Sequence, residues 1–173
     1  MSLSMHQAAA PVFIQVLGAL SKVLDKAQAH AVAKKIDPAV LVAARLAPDM
    51  LPLAKQVQIA CDFAKGAMAR LAGEEVPSWP DGEKTFDDLK ERIRKTLEYV
   101  ETFKPAQIDG SEEREVRLTV AGTPITFKGQ PYLLLFALPN FFFHATAAYV
   151  ILRHNGVELG KRDFMGQVPG MTI

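Results

Sequence analysis

Two polar side chains lie one helical turn apart in the least charged stretch of the sequence. Residues 132–152 contain no Asp, Glu, Lys or Arg, yet they include Asn140 and His144. Side chains at i and i+4 share a helix face, and buried polar groups require hydrogen-bond partners or a ligand. Paired histidines at this spacing chelate metals, whereas asparagine is a poor ligand for transition metals. Asn140 and His144 are therefore either a satisfied buried polar pair or part of a ligand or metal site.

Other polar residues interrupt apolar helical patterns and could join this pair. Gln58 and Asp62 would orient a substrate together with Asn140. His144 would be the general base, which must reach the proton that it abstracts, or a single metal ligand. A tyrosine and an arginine one turn apart near the end of the last helix would bind an anionic group. The candidate ligand-binding residues are Asn140, His144, Gln56, Gln58, Asp62, Tyr149 and Arg153.

The remaining motifs add no catalytic constellation. Cys61 is the only cysteine, so the chain cannot form an intrachain disulfide or a cysteine-based zinc site. Its apolar helical surroundings indicate a small buried hydrophobe. The sequence contains no phosphate-binding glycine loop, GxSxG, HExxH or CxxC motif. Whether the protein is an enzyme stays open at the level of sequence.

Length and composition indicate one soluble globular domain over residues 1–173. Hydrophobic residues make up 49% of the 173 residues and charged residues 23%, which is the balance of a chain that buries a core. The formal net charge of +1 gives no basic excess for nucleic acid. The first residues lack the pattern of a secretory signal, so we expect a cytoplasmic protein that binds neither nucleic acid nor membranes.

The uncharged segment, residues 132–152, allows a second interpretation. Its length meets the ~20 residues that a membrane-spanning helix needs. It also contains Pro139, Asn140, His144 and Thr146. Three other long segments present apolar faces that need a buried partner. We therefore expect the segment to form a buried central helix, with a membrane span as the alternative.

Hydrophobic periodicity predicts a mainly helical fold. Apolar residues recur at spacings of three and four over residues 4–33, 50–72 and 86–100, and a helix beginning at Pro131 follows near the C-terminus. Asp37 and Pro38 predict the start of a short helix that ends near Leu46. Alternation over residues 116–127, interrupted by a turn at residues 121–124, predicts a β-hairpin. We expect a four-helix bundle with a short extra helix, a hairpin inserted before the last long helix, and a further turn of helix near residues 160–164.

Several segments of the chain resemble a known family over nearly its whole length. They are RLAPDM (45–50), QVQIACD (56–62), ARLAG (69–73), PNFFFH (139–144), AYVILRHNGV (148–157) and GKRDFMG (160–166). They resemble the DUF1993 family, a domain of unknown function that is grouped with the DinB/YfiT-like bundles. The resemblance implies the DinB-like four-helix fold.

The resemblance also bears on a metal site. Many DinB/YfiT-like proteins bind a divalent metal through one histidine on the second helix and a His-x-x-x-His pair on the last, and some are thiol-dependent transferases or hydrolases. His144 matches the second histidine of that pair, and Asn140 occupies the place of the first. The matching region of the second helix reads Gln56-Val-Gln58. The resemblance therefore implies a degenerate metal site in which His144 would be the remaining ligand.

Two hypotheses follow from the sequence. The first is a binding or interaction protein for a small ligand, with no cofactor, that forms a homodimer through helix faces. The second is an enzyme, metal-dependent or thiol-dependent, that uses His144 in a remodelled pocket. They differ in whether His144 and Asn140 open onto a solvent-connected pocket or bond only to each other.

Overall fold

The computed structural model describes residues 3–120 and 122–171. The predicted architecture, a mainly helical bundle with one hairpin before the last long helix, is confirmed. The elements are, in chain order, α1 (Met5–Lys34), α2 (Pro38–Val42), α3 (Leu53–Ala72), α4 (Phe86–Thr102), α5 (Pro105–Ile108), β1 (Glu115–Val120), β2 (Thr123–Lys128), α6 (Gly129–Pro131), a π-helical segment (Tyr132–Ala137), α7 (Leu138–His154) and α8 (Lys161–Met165).

Local signals begin and end the long helices. Ser4 and Gln7 form a capping box at the start of α1, and Thr85 and Asp88 form another at the start of α4. Each box satisfies backbone N–H groups that have no partner within the helix. Pro11 lies inside α1, so it does not mark the start of that helix.

Two predicted helix boundaries are wrong. Helix α2 ends at Val42 and not near Leu46. Helix α3 begins at Leu53, three residues later than expected, because Pro52 stands at the N-cap position and disfavours helical geometry in the residue before it. The end of α3 was predicted correctly, since Gly73 adopts the left-handed conformation with φ 76° that terminates a helix.

The hairpin is tighter than the sequence indicates. Val120 pairs with Thr123, so the strands are joined by residues 121 and 122, and Gly122 has φ 81°. Ala121 lies outside the described residues. Pro124 was expected in the turn, but it pairs with Thr119 within β2. A proline is tolerated there because each strand of a two-stranded sheet is an edge strand.

The core lies between the four long helices. Helix α3 packs against α4 and α7, and α1 packs against the same two helices. Phe13 of α1 meets Phe141 of α7 edge to face, with ring centroids 4.9 Å apart. Cys61 is buried as expected, and burial raises the pKa of its thiol to about 12. That thiol is therefore protonated at neutral pH and packs as a small hydrophobe.

The expectation of a fully buried last helix is only half right. Phe141, Ala145 and Ala148 face the core, but Leu135 is 76% exposed and Phe143 is 58% exposed. By length and mean hydropathy, α1 and the helical run from Gly129 to His154 could each cross a membrane. Each of the two contains an 18-residue stretch of high hydropathy. Half of this stretch is buried in the protein in α1, but only a third of it is buried in the run from Gly129 to His154. The uncharged segment thus has one core face and one apolar face toward solvent.

We predict that Phe13→Ala lowers the free energy of unfolding by about 3–5 kcal/mol, because it removes a large aromatic side chain from the core and leaves a cavity. Val32→Ala is the matched control on the same helix, since Val32 is 72% exposed. It should change stability by less than about 0.5 kcal/mol. Urea unfolding followed by circular dichroism measures both, and similar losses for the two variants would contradict this assignment of the core.

Candidate functional site in a cleft beside the hairpin

His144 is bound to the second long helix. Its Nδ1 lies 2.7 Å from Oε1 of Gln56, and Nε2 of Gln56 donates to the carbonyl of Leu51 at 3.1 Å. The second bond orients the amide, so the acceptor oxygen faces the imidazole and Nδ1 carries the hydrogen. Burial lowers the pKa of His144 below its ordinary value. The neutral ring therefore donates from Nδ1 and keeps Nε2 as an acceptor.

Asn140 does not bond to His144. Its Nδ2 donates to the carbonyl of Phe136, one turn earlier in the same helix, at 2.8 Å. The interpretation of the two as a mutually satisfied pair is therefore wrong, because each finds a separate partner. No described residue donates to Oδ1 of Asn140, and this side chain lines a cleft.

A π-helical segment positions the residues that precede Asn140. Over Tyr132–Ala137 the helix widens, and the N–H of Leu138 donates to the carbonyl of Leu133, five residues back. Pro139 follows directly, and a proline ring clashes with the carbonyl four residues before it. A wider turn relieves that clash. Such segments are rare and are frequent at functional sites.

The residues in the family's metal-ligand positions do not fit a divalent metal. His144 and Gln56 meet, but the oxygen of Gln56 already accepts from the imidazole. Asn140 uses its amide nitrogen on its own helix and would offer only a weak amide oxygen. Among residues 3–120 and 122–171, no three His, Cys, Asp or Glu side chains form a metal-binding group.

A cleft of about 410 Å³ lies where β1 faces α3, the π segment and α7. Its apolar lining residues are Phe63, Phe136, Leu118 and Val120. Its polar lining residues are Asp62, Arg70, Thr119 and Asn140. The ring of His144 stacks on Phe63 at a centroid distance of 6.0 Å, and His144 is not among the side chains that line this cleft.

Arg70 is held at the cleft by two features that sequence reasoning missed. Its Nη1 donates to the hydroxyl of Tyr132 at 3.1 Å, and burial raises the pKa of Tyr132, so the hydroxyl stays protonated. A Cβ added at Gly66 would lie 2.4 Å from this Nη1, so glycine leaves room for the guanidinium. Glycine inside a helix costs about 1 kcal/mol relative to alanine, and Gly66 one turn before Arg70 was the available signal.

Asp62 connects the cleft to a buried charge network. Its Oδ1 lies 2.9 Å from both Lys65 and Arg92, whose side chains are 5% and 2% exposed. Arg92 also pairs with Asp81 and Glu83, at 3.2 Å and 2.9 Å. Arg92 was not among the predicted site residues, although its spacing of three from Leu89 places it beside the buried stripe of α4.

Three predicted site residues lie away from His144. Gln58 donates to Glu83 at 2.7 Å and so belongs to the charge network. Tyr149 packs edge to face on Phe164 of α8 at 5.8 Å, and Arg153 is exposed in the last turn of α7. Because Tyr149 is five residues beyond His144, it points about 140° away around the helix. The predicted anion-binding pair on α7 is therefore not brought to the cleft.

Comparisons with known proteins agree with this fold. Residues 5–165 match the family described as a domain of unknown function, DUF1993. The chain is also similar to a crystal structure of a DinB family member protein from Shewanella denitrificans. The two are 38% identical over 97% of this chain and 95% of that one, with a TM-score of 0.87. None of the curated proteins matches. The chain therefore belongs to the DUF1993 family, and its fold is that of a DinB-like helical bundle.

Proposed function

We propose that this protein binds a small organic molecule in the cleft between β1 and helices α3 and α7. The observation that carries the proposal is a cleft whose lining combines apolar side chains with a few polar ones. Sites for small molecules are typically mostly apolar and supplied with a few oriented polar groups, with volumes of ~300–1,000 Å³. The volume of about 410 Å³ lies in this range, and the lining has this mixed character.

Binding is better supported than catalysis because, among the described lining residues, the only carboxylate is ion-paired and no histidine is present. His144 stacks behind Phe63, and its Nδ1 is engaged by Gln56. Asp62 does line the cleft, but two buried cations bind its Oδ1. The alternative, an enzyme that uses His144 in a remodelled pocket, keeps one supporting observation: the neutral ring has an unprotonated Nε2. Three properties remain predictions from sequence: the protein binds no metal, it is located in the cytoplasm, and it does not bind nucleic acid.

The cleft hypothesis predicts that Leu118→Trp abolishes ligand binding without unfolding the protein. Leu118 lines the cleft from β1, so a larger side chain there fills the space that a ligand would occupy. Arg117→Trp is the matched control, because successive strand residues face opposite sides and Arg117 is exposed. Ligand-observed NMR with a fragment library measures binding. Fragments that bind wild type and L118W equally would place the ligand elsewhere, and a library without hits would oppose the proposal.

The structural role of His144 predicts a pH dependence of stability. Its pKa is lowered in the folded state, so the unfolded chain takes up the proton more readily. The stabilisation that the neutral, buried ring of His144 contributes to the folded state is therefore complete above the unfolded pKa of about 6.5. It is lost as the pH falls below that value. We expect wild type to lose more stability than H144Q between pH 7.5 and 5. His154→Gln, on the exposed last turn of α7, is the control and should follow wild type. Parallel pH profiles for wild type and H144Q in urea unfolding would refute this role.

We also propose that the protein forms a homodimer through the solvent-facing stripe of its last helix. The stripe is uncharged over several turns and consists of Leu135, Pro139, Phe142, Phe143, Thr146 and Val150. In a two-fold interface each surface meets its own copy, so like charges near the axis would repel. An apolar stripe avoids this repulsion and removes its hydrophobic surface from water.

The ends of the stripe support a second copy as the partner. If two stripes pack antiparallel about Phe143, Arg153 of one copy faces the start of the helical run in the other. That start lies beside Glu112, whose carbonyl accepts from the N–H of Gln130 at 3.0 Å, and next to Glu113, whose side chain is 87% exposed. Lys128 stands at the same end and pairs with Glu113 at 3.7 Å, but the two glutamates outnumber it, so Arg153 would meet an end with a net negative charge.

The dimer proposal predicts that Phe143→Glu produces a monomer, because two carboxylates would be buried near the two-fold axis. Val32→Glu, at an exposed position on α1, is the control and should remain dimeric. Light scattering coupled to size-exclusion chromatography measures the mass at concentrations up to 100 μM, on the order of weak-dimer affinities. Monomeric wild-type protein over that range would refute the proposal, and flotation of the monomer with lipid vesicles would assign the stripe to a membrane surface.

A further inference from the structure

We propose that the cleft selects small carboxylic acids, with Arg70 binding the carboxylate and the apolar lining residues binding the body of the ligand. This inference rests on the proposed function, since it names the class of molecule that the same cleft takes. Arg70 lines the cleft of about 410 Å³, and it also lines a neighbouring cavity of about 320 Å³. It is therefore accessible from two sides.

The first argument is the lack of an acidic partner. Within residues 3–120 and 122–171, Arg70 forms no ion pair with a carboxylate, although it is only partly exposed. Two neighbouring buried cations are paired: Arg92 contacts three carboxylates and Lys65 contacts Asp62. A half-buried guanidinium without a counter-ion favours an anion from outside the chain.

The second argument is that Asp62 does not supply the missing charge. It is the acidic side chain that lines the cleft, but its Oδ1 is bound by both Lys65 and Arg92. With Lys55, which pairs with Asp81 at 2.8 Å, these cations balance the three carboxylates of the network. The network is therefore neutral, and Arg70 adds a positive charge at the cleft. An anionic ligand is attracted by this arrangement, whereas a cationic ligand is repelled.

The third argument is that the guanidinium is oriented in advance. The bond to the buried hydroxyl of Tyr132 uses Nη1, and the glycine at position 66 provides the space in which that nitrogen lies. The remaining N–H groups are available to a planar carboxylate, which an arginine can bind through two parallel hydrogen bonds. Because the side chain is already held, less rotamer entropy is lost when the ligand binds.

The rest of the cleft defines the remainder of the ligand. Phe63, Phe136 and Leu118 offer an aromatic and aliphatic wall. Asn140 donates its amide nitrogen to Phe136, so its oxygen can accept a hydrogen bond from the ligand. The chemical class is therefore a small aromatic or branched aliphatic acid that also carries a hydroxyl or N–H group.

The test compares two probes of nearly equal shape, 4-hydroxyphenylacetate and its neutral amide, by NMR titration at low salt. Wild type should bind the acid about tenfold more tightly than the amide, the effect of one charge-assisted contact. Arg70→Met should remove this preference and leave the affinity for the amide unchanged. Arg153→Met, which removes the arginine that the sequence favoured for anion binding, should retain the preference.

A second variant keeps the charge and moves the guanidinium. Gly66→Ala places a Cβ 2.4 Å from Nη1, so the guanidinium must move from its present position, while alanine favours the helix. This variant should remain folded, as judged by circular dichroism, and should lose the preference for the acid. Equal affinities of wild type for acid and amide would overturn the inference and leave the cleft as a binding site. Loss of the preference in R153M and not in R70M would overturn it as well, and a failure of both probes to bind would count against the cleft itself.

Discussion

The candidate site depends on a backbone constraint in the last long helix. Pro139 has no N–H and crowds the carbonyl four residues before it, and the helix directly before it adopts a wider, π-helical turn. That turn contains Tyr132 and Phe136 and is followed by Asn140, which bonds back to it. Since Tyr132 in turn holds Arg70, the positions of Arg70, Phe136 and Asn140 in the cleft depend on how this segment accommodates one proline.

A buried charge network next to the cleft determines the electrostatic character of the cleft. Arg92 is almost fully buried and contacts carboxylates from α3 and from the loop before α4. Breaking a buried ion pair leaves an uncompensated charge, so such a network holds its members in one arrangement. It joins two helices and a loop that have few other polar contacts, and it engages Asp62 as a structural ion. The neighbouring Arg70 is left as the cation that faces the cleft.

The residues in the family's metal-ligand positions have a different role in this chain. Gln56 and His144 form a hydrogen bond between α3 and α7, and that bond lies between two helices of the core. An amide and an imidazole can satisfy each other without a metal, provided that the ring is neutral. Burial favours the neutral ring, which lowers the pKa of His144. The same positions thus serve as a polar link within the bundle, and the space suited to a ligand lies beyond Phe63, next to the hairpin.

The sequence by itself determined the helices, the hairpin and their order. Helical periodicity, capping boxes and glycine at a helix end act between residues that are close in the chain, and the family resemblance added the bundle. The sequence also identified His144, Asn140 and Asp62 as polar groups that need partners. Asn140 finds its partner within its own helical run, but the other two partners were decided only by tertiary structure, because Gln56 reaches His144 and Arg92 reaches Asp62 from other helices. The sequence likewise did not reveal that one stripe of the last helix is exposed, since an uncharged segment has the same composition whether one or both of its faces are covered.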